Sequence, residues 1–511
     1  MHSYPFSLNA SQRLHSIRVP AKAAMQVLTT LLVFSLCLFP NLATAATPHI
    51  YDAPQAGPPG SQTSLVGNGF DPNATLDIYL DSTDVGLVDT DSNGTFGMAL
   101  KAPTIRQNGL TIQIPKDAVP GQHWITAVER ITQLQAQVPF LVRTDWPQLR
   151  YGPDRTGFNP LETILSPETV GNLTPRWTHG GMAAAEPALA NGLIYVSWVN
   201  NGDWYVEALD AVTGALLWTY PGEPNQALEV VNGVVYFGDY DSMLYALNAN
   251  TGALLWSYQV GGWVGTPAVV NGVVYVGGLD YVDALDASTG ALLWQVFVPN
   301  NDYWFSSRVA VANGVVYAGT EYQGLLALDA STGALLWQYP ANLTNFPPTV
   351  ANGIVYIVLG NTLDALNAAT GALIWENISP NYGISGAPAI ANGMVYLASD
   401  NLYALDAGTG VLIWSNPIQG SSPAVANGIL YIGSDNLYAL SASTGALLWS
   451  YTAETTVGSP VVVNGMVYVG CDDGNLYGFG LSNQQMSAKF SPPQRPDPAW
   501  LTPNWNPPLK K

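Results

Sequence analysis

The sequence predicts an all-β protein whose main body is an eight-bladed β-propeller, closed by an N-terminal strand and preceded by a small β-sandwich. One unit of about 38 residues recurs from residue 174 to residue 480. Each unit contains short runs with the composition of β-strands, and glycine-containing turns separate these runs. Four-stranded sheets that repeat at this period are typical of propeller blades.

Composition and charge exclude two classes of partner. The 511-residue chain is 48% hydrophobic but only 10% charged, against roughly 25% charged residues in an average soluble protein. Its 36 acidic and 16 basic side chains give a formal net charge of −20. A field of this sign repels phosphate backbones and anionic lipid, so we expect no nucleic acid partner and no binding to a membrane surface.

Residues 1–45 are predicted to be a signal peptide. Basic residues precede the apolar stretch 24–40, and Ala43, Thr44 and Ala45 are the small residues that signal peptidase requires. We expect cleavage after Ala45, no remaining membrane span, and an extracellular, cell-surface or periplasmic location; an uncleaved anchor is the alternative. The mature chain would keep one cysteine, Cys471, which excludes an internal disulfide and is interpreted as a buried, inert thiol.

Residues 46–143 are predicted to form the small sandwich, because turn clusters alternate there with short β-rich runs. The sequences GPPGSQTSLVGNGFDPN, DTDSNGTF and PGQHWITA resemble immunoglobulin-like domains of the IPT/TIG type in bacterial surface proteins. That resemblance implies presentation, not chemistry. Residues 89–94 copy the first half of a calcium-binding loop, but Leu100 stands where a bidentate Glu is required, so we predict a turn held by Asp and Asn side chains.

Residues 144–173 are predicted to be a linker, and the propeller follows it at 174–480. The block ALDAVTGALLW, which ends at Trp218, returns in seven copies, and an Asn-Gly followed by an alternating strand occurs eight times. Asn-Gly suits a two-residue hairpin because both central residues must accept positive φ. The last unit lacks a Trp strand of its own, whereas Trp177 ends a strand-like run before the first unit. We therefore expect the N-terminal strand to complete blade eight.

These units resemble the pyrroloquinoline-quinone-type (PQQ-type) propeller repeat, with its Ala-x-Asp, Thr-Gly and closing Trp. The preceding DWPQLRYGPDRTGFNPLETILSPETVGNLTPRW also resembles the lead-in of secreted bacterial PQQ-repeat proteins. The resemblance implies that the outer-strand tryptophans pack against the neighbouring blade. These structural repeat residues are Trp177, Trp218, Trp256, Trp294, Trp337, Trp375, Trp414 and Trp449.

Three functions are compatible with this resemblance, and the favoured one is a non-catalytic scaffold for binding or assembly with a protein or glycan partner. The nearly identical blades favour it. The first alternative is a quinoprotein dehydrogenase that oxidises an alcohol or polyol with PQQ and Ca²⁺. The chain departs from that family because it has no adjacent Cys pair, and Arg308 is the only Lys or Arg between Trp177 and Met486. The second alternative is structural or adhesive surface display. We expect a monomer.

Candidate ligand-binding residues lie in the loops between one blade and the next. The interval between Trp294 and Trp337 is 43 residues, against 35 to 39 elsewhere, and the insertion 299–308 contains three of the candidates. An aromatic cluster around one Arg suits a sugar, a polyol or a planar anion. The alternative is that these aromatics only cap the blades. The candidates are Trp263, Tyr303, Trp304, Arg308 and Tyr382.

No catalytic or metal-binding residues are predicted. His179 is the only histidine of the propeller, and one histidine does not make a His-rich metal site. Asp210, Asp286, Asp329 and Asp406 precede Thr-Gly turns, and Asn248 and Asn367 substitute for them, which indicates side-chain hydrogen bonds to the turn backbone. Residues 481–511 are rich in proline and are predicted to be an extended tail.

Overall fold

A computed structural model describes most of the chain. The described residues are 47–97, 110–116, 118–180, 182–183, 186–200, 202–224, 227–298, 308–320, 323–341, 346–378 and 383–482. The predicted signal peptide, the tail beyond residue 482, and the candidates Tyr303, Trp304 and Tyr382 lie outside them. In the part that is described, no helix is long and apolar enough to cross a membrane.

The N-terminal unit consists of two sheets that enclose one hydrophobic core. Leu65, Ile78, Ile125 and Phe140 are buried between the sheets. The relation to immunoglobulin-like domains stays a prediction. The first sheet contains His49–Ala53, Gln62–Asn68 and Leu110–Gln113, and the second contains Ala56–Gly57, Gln135–Val142, Gly121–Glu129, Thr75–Leu80 and Thr83–Asp89.

The turn at 89–94 has the predicted side-chain bonding. Asp91 Oδ1 accepts the backbone N–H groups of Asn93 and Thr95, and its Oδ2 accepts the Thr95 hydroxyl. These hydrogen bonds lower the pKa of Asp91. The twelfth position of the supposed calcium loop, Leu100, lies outside the described residues.

Eight sheets follow, a number compatible with the eight predicted blades, and the all-β propeller fold is confirmed. Their strands are antiparallel except for Phe158–Asn159, which pairs parallel with its neighbour. We number the sheets as blades 1 to 8 and name their strands a to d from the central channel outwards. Strands a to d are, in blade 1, Ala188–Ala190, Leu193–Asn200, Asp203–Asp210 and Leu216–Pro221, with Met182–Ala183 added to strand b; in blade 2, Glu229–Val231, Val234–Gly238, Met243–Asn248 and Leu254–Gln259; in blade 3, Ala268–Val270, Val273–Gly277, Tyr281–Asp286 and Leu292–Phe297; in blade 4, Arg308–Ala312, Val315–Thr320, Gly324–Asp329 and Leu335–Tyr339.

The other four blades repeat this order. Their strands a to d are, in blade 5, Thr349–Ala351, Ile354–Leu359, Thr362–Asn367 and Leu373–Ile378; in blade 6, Ala389–Ala391, Met394–Ala398, Leu402–Asp406 and Leu412–Asn416; in blade 7, Ala424–Ala426, Ile429–Gly433, Asn436–Ser441 and Leu447–Thr452, with Phe158–Asn159 added to strand a; in blade 8, Val461–Val463, Met466–Cys471, Asn475–Gly480 and Thr174–Gly180.

The ring is closed by the N-terminal strand, as the sequence predicts. Strand d of blade 8, Thr174–Gly180, pairs antiparallel with strand c, Asn475–Gly480. The two strands come from opposite ends of the propeller sequence. Closure therefore uses main-chain hydrogen bonds and needs no disulfide.

The two repeated turns have the conformations that their residues predict. All eight Asn of the Asn-Gly turns between strands a and b have positive φ, from 45° to 56°. At the turn between strands c and d of blade 1, Asp210 Oδ1 accepts the N–H groups of Val212 and Thr213 and the Thr213 hydroxyl. Asn248 and Asn367 do the same in their blades, which confirms the turn role of this position.

The outer-strand tryptophans join each blade to the next. The Trp218 indole lies over Gly252 of the following Thr-Gly turn and donates to the Ala249 carbonyl at 2.9 Å, and the Tyr195 hydroxyl donates to the same carbonyl. Six other blade interfaces have the same Trp-to-Ala hydrogen bond. At the interface between blades 8 and 1 the donor is Trp177, so the ring closure uses the same contact.

One interface is different. Trp449 of blade 7 packs edge-to-face on Phe479, with ring centroids 5.7 Å apart, because blade 8 has no turn between its strands c and d. Residues 162–173 cover this position instead. Ile164, Leu165 and Val170 join the core of blades 7, 8 and 1, and the 3-10 helix Val170–Asn172 leads into the closing strand.

Candidate functional site

The segment 146–159 follows the wall of the central channel, and we call it the inner segment. It contacts strand a of every blade, always at the residue two positions before the Asn of Asn-Gly. The hydrogen bonds join Trp146 to Leu189, Pro147 to Val230, Gln148 to Val269, Pro153 to Val311, Asp154 to Val350, Thr156 to Ile390, Gly157 to Val425 and Asn159 to Val462.

The prediction of a linker at 144–173 is therefore wrong, because this segment is part of the propeller interior. Strand a is the inner edge of each sheet, and its free N–H and C=O groups would be costly to bury unpaired. The inner segment supplies their partners. Its residues show no strand or helix period, because a chain that meets eight successive strands in turn has no such period to show.

Two arginines of the inner segment are fully buried beside the channel. Arg155 forms an ion pair with Glu229 at 2.8 Å, and both side chains are 0% exposed. Arg155 also donates to the carbonyls of Leu149, Pro267 and Val309. Its guanidinium thus ties the inner segment to blades 2, 3 and 4.

Arg150 reaches across to blade 6. Its Nη2 donates to the Pro388 carbonyl at 3.3 Å and lies against Gly157, where a Cβ would be 2.2 Å away. Among the described residues, Nε and Nη1 of Arg150 and Oε2 of Glu229 have no hydrogen-bond partner. Arg150 and Arg155 both have positive φ, a conformation that costs a non-glycine residue about 1–2 kcal/mol.

The repeat is broken where charged side chains enter the channel. Glu229 occupies a position that is Ala in blades 1, 3, 4, 6 and 7. Glu186 in blade 1 and Arg308 in blade 4 occupy another position of the repeat, five residues before the Asn of Asn-Gly. Burial raises the pKa of Glu229 to about 7 although Arg155 opposes this. Burial, together with the charge of Arg155, lowers the pKa of Arg308 to about 10.

Arg308, a sequence-predicted candidate, is therefore a partly buried channel residue. It is the only Lys or Arg between Trp177 and Met486, but Arg150 and Arg155, which precede the first repeat, join it at the channel. As far as the chain is described, the acids near these arginines include Glu186, Glu229 and Asp154 of the inner segment. Residues 299–307 of the insertion lie outside the described residues, so the aromatic cluster around Arg308 stays a prediction.

Trp263 lies in a different place, at the end of the propeller formed by the loops between strands d and a and the hairpins between strands b and c. We call this end the rim face; the Asn-Gly and Thr-Gly turns form the opposite end. The Trp263 and Tyr240 ring centroids are 5.4 Å apart at 84°, and those of Tyr240 and Trp204 are 6.5 Å apart at 63°. These three residues are the aromatic strip.

Two members of the strip were not among the sequence-predicted candidates. Trp204 is the second residue of strand c of blade 1, and Tyr240 lies in the b–c hairpin of blade 2. The sequence contains a signal for Tyr240. Counted from the end of strand b, the same hairpin position is Asp400 in blade 6 and Asp435 in blade 7. Such a comparison finds an odd aromatic residue but not its neighbours in the next loop.

A cleft of about 650 Å³ lies on the rim face between blades 6, 7 and 8. Its walls carry hydroxyls, carboxylates and glycine backbone. The carboxylate of Asp400 accepts the Tyr403 hydroxyl, and that of Asp435 accepts the Tyr438 hydroxyl. The lining side chains include Ser385, Ser399, Asp400, Ser421, Ser434 and Asp435.

Cys471 and His179 do not lie in a reactive arrangement. Cys471 is 7% exposed, and burial next to Asp473 and Asp472 raises its pKa to about 12. His179 pairs with Glu207 at 3.0 Å at the interface between blades 8 and 1. In the described ranges, no group of three His, Cys, Asp or Glu residues is placed to hold a metal ion.

Solved structures with the same fold include quinoprotein enzymes. Quinohemoprotein alcohol dehydrogenase from Comamonas testosteroni is 19% identical with a TM-score of 0.56, and the match covers 66% of this chain and 80% of that one. The enzyme ADHIIG from Pseudomonas putida HK5 is 18% identical, also with a TM-score of 0.56 and the same coverage of 66% and 80%. A europium-containing methanol dehydrogenase is 16% identical with a TM-score of 0.52, covering 66% of this chain and 98% of that one.

At these identities the likeness shows the fold alone. A search of curated protein sequences gives no significant match. A family model described as outer membrane protein assembly factor BamB matches residues 202–281, 278–422 and 398–485. Since these matches span more than half of the 511 residues, the chain belongs to this family of PQQ-type repeat propellers.

Proposed function

We propose that this protein is a secreted, non-catalytic binding scaffold, and that it holds its partner on the rim face of the propeller. The observation that carries this proposal is the course of the inner segment. It bonds to strand a of all eight blades close to the Asn-Gly turns and fills the channel there, and this supports assigning the partner to the rim face, which carries the cleft and the exposed aromatic rings. The family description, an assembly factor, supports the same function.

The channel residues do not fit PQQ with Ca²⁺. The cofactor is a tricarboxylate and needs several accessible cations. All three guanidinium nitrogens of Arg155 already donate to main-chain carbonyls or Glu229, and Arg150 is 1% exposed. Arg308 alone is partly exposed, and two glutamates lie beside these arginines.

The alternative of a PQQ-dependent alcohol or polyol dehydrogenase rests on the fold of the solved enzymes. We derive no catalytic step through the cofactor, because the donor set does not match it. The single thiol expected in the mature chain, Cys471, is buried with a raised pKa and supplies no sulfur pair.

Calorimetric titration of residues 46–511 with PQQ and Ca²⁺ tests the proposal, together with an alcohol and polyol panel and a dye acceptor. We expect no saturable heat and no turnover. Arg308→Gln is the matched variant, since it removes the positive charge and keeps a polar side chain that donates hydrogen bonds. Saturable binding near one equivalent that Arg308→Gln abolishes, with alcohol oxidation, would refute the scaffold and establish the dehydrogenase.

A further inference from the structure

The rim face of blades 1 to 3 carries aromatic rings in an acidic surrounding. Tyr240 is 41% exposed, and Trp204 and Trp263 on either side of it are partly exposed. The three rings stand at steep angles to each other and connect blade 1, blade 2 and the loop to blade 3. An exposed cluster of large aromatic rings that crosses blade boundaries is typical of an interaction surface.

The loop that carries Trp263 is held in place from both sides. Val260 N–H donates to the Ser242 carbonyl of blade 2, and Gly265 N–H donates to the Gly277 carbonyl of blade 3. Val264, next to Trp263, is 0% exposed and packs on Gly238, where a Cβ would lie 2.5 Å away. The ring is therefore preorganised, which lowers the entropic cost of binding.

The charges around the strip are negative. Asp203 precedes Trp204, and Asp239 and Asp241 flank Tyr240 in the sequence. Asp203 and Asp241 are exposed, whereas Asp239 is 4% exposed and accepts the Met243 N–H at 2.8 Å. In blades 1 to 3, as far as they are described, no Lys or Arg accompanies these acids.

We propose that the aromatic strip Trp204, Tyr240 and Trp263 binds arginine or lysine side chains of a basic segment in a partner protein. The faces of aromatic rings carry negative potential and attract cations, most strongly for Trp. The neighbouring carboxylates and the net charge of −20 favour the same sign of ligand and disfavour an anion. This inference names the partner chemistry of the rim face and so rests on the proposed scaffold function.

The test uses two synthetic peptides of eight residues, one with four arginines and one with four citrullines, which have the same shape without the charge. Binding to residues 46–511 is measured by calorimetry at 150 and 500 mM salt. The strip variant is Tyr240→Leu with Trp263→Leu. The matched control is Phe297→Leu, which removes an exposed aromatic ring from strand d of blade 3.

We expect saturable binding of the arginine peptide and about tenfold weaker binding by the strip variant, since each ring at an exposed site contributes about threefold. Phe297→Leu should bind like the unchanged protein. The difference between the variants should persist at 500 mM salt, because salt screens the general attraction of the acidic chain more than close contacts. Tyr240→Leu alone, about threefold weaker, serves if the double variant is misfolded.

Three results would overturn the inference. Equal binding by the strip variant and the unchanged protein would show that only the net charge attracts the peptide. Equal losses in the strip variant and in Phe297→Leu would show that the strip is not specific. Binding of the citrulline peptide as tight as that of the arginine peptide would assign the strip to neutral ligands, such as a glycan. Each result leaves the scaffold proposal standing, whereas PQQ binding with alcohol oxidation refutes the scaffold without affecting the peptide result.

Discussion

Replacing Arg155 by Met tests whether the inner segment is fastened by its buried ion pair. The change leaves the Glu229 carboxylate without its cation in a site that is 0% exposed. Removing one partner of a buried ion pair costs about 3–5 kcal/mol, because the other charge stays uncompensated. The carbonyls of Leu149, Pro267 and Val309 lose a donor as well. We expect Arg155→Met to lower the free energy of unfolding by about 3–5 kcal/mol.

The double variant Arg155→Met with Glu229→Ala separates the ion pair from simple loss of packing. Ala is the residue of this position in five other blades, for example Ala268 and Ala389. Removing both charges of a buried pair is often nearly neutral, so the double variant should regain about 2–3 kcal/mol relative to Arg155→Met. Part of the loss should remain, because Glu229 also accepts the Leu149 N–H at 3.2 Å.

The assay is urea unfolding followed by tryptophan fluorescence, with all four members of the cycle at pH 8. The double-mutant cycle then yields the coupling energy between the two side chains. Coupling below about 0.5 kcal/mol would refute the reasoning, since that is the range found for independent sites. Unfolding of Arg155→Met at the midpoint of the unchanged protein would refute it equally.

Three further outcomes follow from the described contacts. Gly252→Ala should destabilise the protein by about 2–4 kcal/mol in urea unfolding, since a Cβ would meet the Trp218 ring at 2.6 Å and φ is +70°. The control Gly233→Ala, with φ +78° and nothing within 4 Å of the added Cβ, should cost only about 1–2 kcal/mol. Equal losses in the two variants would contradict the stacking of the indole on Gly252. Burial raises the pKa of Asp283 from 3.8 to about 6, so between these values the folded state holds a proton that the unfolded state releases. The contribution of this group to the free energy of unfolding should therefore fall as pH rises from about 4 to 6. Asp283→Asn should flatten this slope in unfolding curves taken between about pH 4 and 7. Cys471, with a pKa of about 12, should react with a thiol reagent at pH 8 only after unfolding, and fast reaction of the folded protein would contradict its burial.

The repeats could be predicted in detail because their signals are local. Asn-Gly sets the turn between strands a and b through its own positive φ, as at Asn313 and Gly314. Six of the seven Thr-Gly turns have Asp or Asn for the internal hydrogen bonds, and each has Gly, which permits the close approach of the indole of the preceding blade. The closing strand was predictable for a related reason. The run that ends at Trp177 resembles strand d but precedes the first repeat, and the last repeat has no strand d of its own.

The candidate sites were less accessible to sequence reasoning. Trp263 was predicted as a candidate, but its contact with Tyr240 joins two loops that no spacing connects. Arg308 was identified because it is the only Lys or Arg between Trp177 and Met486. Its pKa near 10, however, results from burial in the assembled channel and, to a smaller extent, from the charge of Arg155, which lies more than 150 residues earlier. Tyr303, Trp304 and Tyr382 stay predictions.

Residue patterns alone were enough to establish the all-β propeller, the two turn types, the tryptophan register and the strand that closes the ring, because each follows from short motifs that recur in every repeat or are missing from one. The role of 146–159 emerged only from the assembled fold. That segment carries no repeat or period, and its conformation is fixed by the unpaired edges of eight strands that meet around one channel. Arg150 and Arg155 become buried only when the blades surround this segment, and Trp204, Tyr240 and Trp263 become neighbours only when blades 1 to 3 pack side by side.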